Sequence, residues 1–309
     1  IGTTDDAELR AQRLESSLNL SFEPLRERDP AAAEMFVWLG RIPGGVPRAL
    51  LGSIFGEDAD AQVATLMRNH LVWEEGIDQR VGLPGPFRWY AQNREGEVLK
   101  EERRQELVLR TTRALAFWLD VWERRLGTGR SGEAYLHTEE DGQTLDELIP
   151  IADEEAMEHL ADALRDWSRL MKYYGACSVA QLVLQSMNDR FAKRNRQSLG
   201  RAEVMQALGD LSLYRANFKE AEESYRQALA CCDAVGHELG KANGLLAMGD
   251  LHLQLGQLYD ARADYRESLR LFRIIGGGTG KANVLFGLGE VCVQLGEFDS
   301  ARGYLAEAL

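Results

Sequence analysis

Apolar positions recur at three- and four-residue intervals along most of the chain, the spacing of amphipathic helices, and in the last third the whole pattern repeats. With Ala202, Ala242 and Ala282 in register, a step of 40 residues each time, Leu208-Gly209-Asp210 aligns with Met248-Gly249-Asp250 and with Leu288-Gly289-Glu290. Phe218 then meets Leu258 and Phe298. The second helical run of each unit carries Ala221, Tyr225 and Ala228, then Ala261, Tyr265 and Ser268, then Ala301, Leu305 and Ala308. Self-similarity at a fixed period of this size is the signature of stacked helical hairpins, each burying its apolar face against its neighbours.

The stretch IIGGGTGKAN, Ile274 to Asn283, invites a second interpretation, a glycine loop that cradles a nucleotide phosphate. Such a loop needs a glycine five residues before Gly280 and a metal-holding hydroxyl after Lys281. The chain places Ile275 and Ala282 there. Upstream, AVGHELGKAN repeats the motif, with Gly236, Gly240, Lys241, Ala242 and Asn243 in the places of Gly276, Gly280, Lys281, Ala282 and Asn283. The repeat therefore predicts a turn between hairpins, with no nucleotide.

The pattern within each unit resembles the tetratricopeptide repeat, in which a small residue on each helix admits its partner and an aromatic fills the gap above. The units exceed the usual length of about 34 residues and lack the proline common near the end of the second helix. The resemblance implies a superhelix whose first helices line a concave face. Asp210, Leu213, Asn243, Asp250, Leu253, Asn283, Glu290 and Val293 are the candidate binding residues on that face. The expected partner there is an inducer, whether a protein, a peptide or a small ligand. The acidic rung of Asp210, Asp250 and Glu290 suits a basic or apolar segment better than an acidic peptide terminus. The chain stops at Leu309, inside the second helix of the third unit and without a polar capping helix, so a longer array is expected.

Upstream, Asp29 as N-cap and Pro30 at the first helical position start a helix with Met35, Phe36, Trp38 and Leu39 on its apolar face. RIPGGVP ends it, and RALLGSIFG and DAQVATLMRNHL read as two further short helices. Two β-prone runs follow, Leu71 to Glu75 and Arg80 to Leu83, joined by a turn around Gly76 and Asp78. Helices followed by a hairpin suggest a winged-helix domain, with FRWYAQ beginning its exit helix. From about Asn93 to Leu126 the chain reads as strongly helical, with Leu107, Thr111, Leu115, Trp118 and Trp122 as a packing stripe. The polar, glycine-bearing run from Gly127 to Thr144 reads as a loop. The fold expected is mainly α. Residues 1–14 form a linker or frayed helix, 15–92 the winged-helix domain, and 93–160 a helical arm with a flexible loop near 127–144. Residues 161–200 form a degenerate repeat and 201–309 the repeats of an α-solenoid.

Charge and chemistry narrow the functional classes. With 49 acidic against 36 basic side chains and a net charge of −13, the chain as a whole repels nucleic acid and anionic lipid. DAQVATLMRNHL carries Arg68 as its only permanently charged basic residue, too few for a DNA-reading helix. Neither a membrane-spanning apolar run nor a secretion signal is visible, which implies a soluble, cytoplasmic protein. Cys177, Cys231, Cys232 and Cys292 suit neither a disulfide framework nor a zinc knuckle. The five histidines form no His-Glu-x-x-His pair, and a Gly-x-Ser-x-Gly elbow is missing, so no catalysis is expected.

SLNLSFEPL, FVWLGRIPGG, LMRNHLVWEEG and PFRWYA, in that order and spacing and followed by a helical arm and long tetratricopeptide repeats, resemble the C-terminal half of STAND regulators, the signal-transducing ATPases of NB-ARC type. The resemblance covers nearly the whole chain. It implies a switch in which an upstream nucleotide-binding module holds ADP until the repeat sensor binds its inducer, then exchanges it for ATP. No cofactor is expected in this portion itself. Many members of that family carry a Met-His-Asp stretch whose histidine touches the ADP. Aligning Arg88, Tyr90 and Ala91 puts Leu83, Pro84 and Gly85 in that place, so no nucleotide-contacting residue carries over. A stand-alone repeat scaffold that docks a partner protein is the alternative. A Walker A motif upstream would separate the two.

Overall fold

The computed structural model describes residues 4–76, 78–125, 131–194 and 197–308, with backbone alone for 4–11, 131–137 and 139. Its contacts divide it into two units, residues 1–163 and 164–309.

In the first unit, α1 (Thr4–Arg28) and α2 (Pro30–Leu39) meet at Asp29, whose Oδ1 accepts the Ala32 amide at 3.0 Å. Of the linker or frayed helix expected over 1–14, the structure shows helix from Thr4. Its residues Ala7 to Gln12 are strong helix formers with no breaker among them. Buried Leu18, Phe22 and Leu25 anchor the other half. α3 (Arg48–Phe55) and α4 (Ala59–Arg68) follow. β1 (Trp73–Glu75) then pairs antiparallel with β2 (Arg80–Gly82), placing Trp73 opposite Gly82 and Glu75 opposite Arg80. Among the described residues this is the only sheet. Both strands are shorter than the β-prone runs that announced them.

Helix α5 (Gly85–Val98) closes this core, and Tyr90 stacks edge-on against Phe22, their centroids 5.7 Å apart. The strongly helical stretch expected from Asn93 to Leu126 is shared between two helices. Leu99 takes an extended conformation (φ −99°, ψ 122°) that buries its side chain, and α6 (Glu101–Glu123) starts afresh. On α6, Leu107, Thr111, Leu115 and Trp122 are buried as the stripe requires, with Trp118 half-buried. Trp38 Nε1 donates to Thr111 Oγ1 at 2.9 Å, so even the polar member of that stripe is satisfied.

The flexible loop expected near 127–144 is corrected by α7 (Ser131–Leu148); residues 126–130 lie outside the described residues. The polar character that suggested a loop is used inside the fold. Asp141 on α7 pairs with Arg80 on β2 at 2.9 Å, the two side chains only 5% and 2% exposed. Arg80 also donates to the Gly45 carbonyl at 3.2 Å. A buried guanidinium needs a charge and acceptors, and this helix supplies the charge.

The unit boundary falls within α8 (Glu154–Tyr173). After it, α9 (Cys177–Lys193), α10 (Leu199–Tyr214), α11 (Phe218–Val235), α12 (Glu238–Gln254), α13 (Leu258–Ile275), α14 (Gly278–Gln294) and α15 (Phe298–Ala308) form successive antiparallel hairpins of a mainly α solenoid. The repeat glycines explain how closely these helices pack. A Cβ on Gly249 would lie 2.6 Å from the Tyr265 ring, and one on Gly287 of the next repeat would lie 2.7 Å from the same ring. Tyr265 is therefore clasped by two glycines, one from its own hairpin and one from its neighbour. In the third repeat Leu305 takes the tyrosine's place, 2.8 Å from where a Cβ on Gly289 would sit.

Candidate functional site: the groove of the repeat array

The turn between repeats closes one helix and opens the next. Gly236 and Gly276 end α11 and α13 in the left-handed conformation, at φ 68° and 83°. The Gly276 amide is spent on the Phe272 carbonyl at 2.9 Å, and the Lys281 amide on the Gly277 carbonyl at 3.0 Å. These two amides thus serve the end of α13 and the start of α14. The Lys281 ammonium pairs with Glu307 at 3.1 Å.

The first helices of the repeats, α10, α12 and α14, together with the end of α8, line a groove of two adjoining cavities of about 430 and 580 Å³. Asn243 and Asn283 line the first, with Gln206, Leu246, Arg165 and Arg169. Leu213, Leu253 and Glu290 line the second, with Lys172, Gln254 and Gln294. Asp210 and Asp250 belong to both. The helical spacing of the repeat thus brings together seven of the eight candidate residues. Val293 is outside the set: it lies one turn beyond Glu290 on α14, 47% exposed, and borders neither cavity.

The acidic rung is less uniform than its repetition suggests. Tyr225 donates its hydroxyl to Asp210 at 2.8 Å, and Tyr265 donates to Asp250 at 2.6 Å. Burial pushes both carboxyls above the ordinary aspartate range, against the pull of these hydrogen bonds and of Lys172. For Asp250 the neighbouring charges of Asp210 and Glu290 push the same way. Two of the three acids therefore help to hold their own hairpins together. The tyrosine hydroxyls are displaced upward in turn, chiefly by burial and then by the facing carboxylate.

The sequence also carried a signal that went unused. Arg165, Arg169 and Lys172 stand at i, i+4 and i+7, one face of α8, and that face forms the cationic end of the groove wall. Arg165 holds Glu203 of α10 at 2.9 Å, and the Lys172 ammonium lies over the Tyr214 ring, 5.4 Å from its centre. The groove consequently has a cationic side on α8 and an acidic one on α12 and α14.

Residues 241–309 match the family model of the tetratricopeptide repeat. No curated protein matches the chain. Among solved structures, the chain resembles BtubC from P. vanneervenii at 17% identity, with a TM-score of 0.54 over 67% of this chain and 80% of that one. A second likeness is to a STAND protein with a tetratricopeptide repeat sensor from Pyrococcus horikoshii, at 16% identity and a TM-score of 0.39. It covers 90% of this chain, which spans 50% of that structure's length. Of these comparisons, the family match and the first likeness agree with the geometry: a mainly α fold whose C-terminal part is a stack of tetratricopeptide-type hairpins.

Proposed function

We propose that residues 164–309 bind a segment of a partner protein along the groove, and that this binding is the input of a STAND-type switch. The observation that carries the binding reading is the continuity of the two cavities through Asp210 and Asp250. Amides, leucines and charges of both signs line the resulting channel along three successive repeats. Amide side chains such as Asn243 and Asn283 can both donate to and accept from an extended backbone, and tetratricopeptide arrays present such concave surfaces to ligands.

The switch rests on the sequence resemblance across residues 15–92. In this reading α2 to α4 and the β1–β2 hairpin form a winged-helix relay to an upstream nucleotide-binding module. Pro84 stands where many relatives have histidine and serves here as the N-cap of α5, so the relay acts through packing and makes no contact with a phosphate. The chain itself binds and does not transform.

Selection of displayed 12-residue peptides on the chain tests the binding reading, with counter-screening on Asn283→Trp, which fills the groove from an exposed position. Peptides that bind the wild type and lose at least tenfold on the variant support it. Peptides that ignore the variant refute it. ADP release from the full polypeptide on adding such a peptide supports the switch; binding without release leaves the array as a scaffold.

A further inference from the structure

On α14, Phe286, Glu290 and Val293 stand at i, i+4 and i+7 and so share one face of the helix. Their equivalents one repeat earlier, Leu246, Asp250 and Leu253, all line the groove, as does Glu290 itself. One feature sets the third set apart. Asp210 and Asp250 each accept a tyrosine hydroxyl, whereas Glu290 faces the repeat in which Leu305 replaces that tyrosine. The carboxylate has kept its rung where the hydroxyl that engages it elsewhere is gone. Phe286 and Val293, one turn to either side, place that carboxylate between an aromatic ring and an aliphatic side chain, as Leu246 and Leu253 flank Asp250 one repeat earlier.

That combination selects a partner chemistry. A cation is attracted by the carboxylate and by the face of the phenyl ring, and its aliphatic stem and apolar neighbours would cover Phe286 and Val293. It would also offset the repulsion between Asp250 and Glu290. Lys172, lining the same cavity from α8, disfavours a second cation at the far side and so gives the segment a polarity.

We infer that Phe286, Glu290 and Val293 form the receiving site for one lysine or arginine side chain, flanked by apolar residues, of an extended protein segment. The inference rests on the groove-binding reading above and names the class of segment bound.

The test is fluorescence anisotropy on the 309-residue chain with three labelled peptides identical except for a central Arg, norleucine or Glu between leucines. The arginine probe is expected to bind at least tenfold more tightly than the glutamate probe. Glu290→Gln and Phe286→Ala should each erode that preference severalfold, and Glu290→Lys should invert it, with unchanged circular dichroism and melting. Equal binding of the three probes, abolished by Asn283→Trp, overturns the cation site and leaves the groove reading standing. Absence of binding by every probe, or binding indifferent to Asn283→Trp, overturns both.

Discussion

The Tyr225 hydroxyl donates to Oδ1 of Asp210 across the hairpin of the first repeat, at 2.8 Å, while the tyrosine ring fills the space that Gly209 leaves open. Packing and polarity are thus satisfied by one residue pair. Tyr225→Phe keeps the ring and removes the donor, leaving a half-buried carboxylate short of a partner. A loss of about 1–3 kcal/mol is expected in urea unfolding. Asp210→Asn retains an acceptor and removes the half-buried charge, so it should be neutral or stabilising. The reverse order would contradict the assignment.

The same pairs set a pH dependence. Burial raises Asp210 and Asp250 above the ordinary aspartate value of 3.8. Between the unfolded and folded pKa values the folded state holds more protons, so these groups favour folding most at low pH and lose that contribution as pH rises through the folded pKa. Exposed carboxylates that arginine holds low, such as Glu106 and Glu267, work in the opposite direction. The comparison must therefore be between proteins. Over the range above 3.8, the wild type should lose stability relative to the Asp210→Asn, Asp250→Asn double variant as pH increases. Parallel profiles would show that the two aspartates titrate alike folded and unfolded.

A third expectation comes from comparing turns within the array. Ala216, between α10 and α11, has φ 59°, and the equivalent residues of the next two repeats are Gly256 and Gly296 at φ 72° and 76°. An L-residue in the left-handed region costs roughly 1–2 kcal/mol, part of which glycine gives back through its freer unfolded chain. Ala216→Gly should accordingly raise stability by about 1 kcal/mol, read as an upward shift of the melting temperature. A drop would mean that this turn is held by contacts the other two lack.

In the first unit, Asp141→Ala strands the Arg80 guanidinium, 2% exposed, without its counter-charge. Loss of one partner of a buried pair costs about 3–5 kcal/mol, enough to release α7 from the hairpin. Arg80→Met combined with Asp141→Leu should recover most of it. Proteolysis within residues 131–148, rising in the single variant and returning toward wild type in the double, would report the effect. Equal protection in all three would refute it.

How much of this was legible depended on whether the signal was local. The helix start at Asp29-Pro30 and the turns at Gly236 and Gly276 follow from backbone chemistry within a few residues, and the repeat located seven of the eight groove residues through spacing alone. What escaped required long-range partners. Asp141 in a polar run looks solvated until Arg80, 61 residues away, is brought against it. Leu99 gives no local sign of breaking a helix, and it does so because the core takes its side chain. The acidic rung was visible as a repetition, but the tyrosine that occupies two of its three members lies 15 residues on, across a turn. The cations of α8 were overlooked because that helix lies outside the clear repeats, although its i, i+4, i+7 spacing was there to be seen.

The central claim is that the C-terminal unit recognises a protein segment through the groove. Hydrogen–deuterium exchange of the chain with and without a selected peptide tests it most directly. Added protection should concentrate on α10, α12 and α14 and on the end of α8, with little change on the outer helices α11, α13 and α15. Protection confined to residues 4–125, or to the outer helices, would contradict the account.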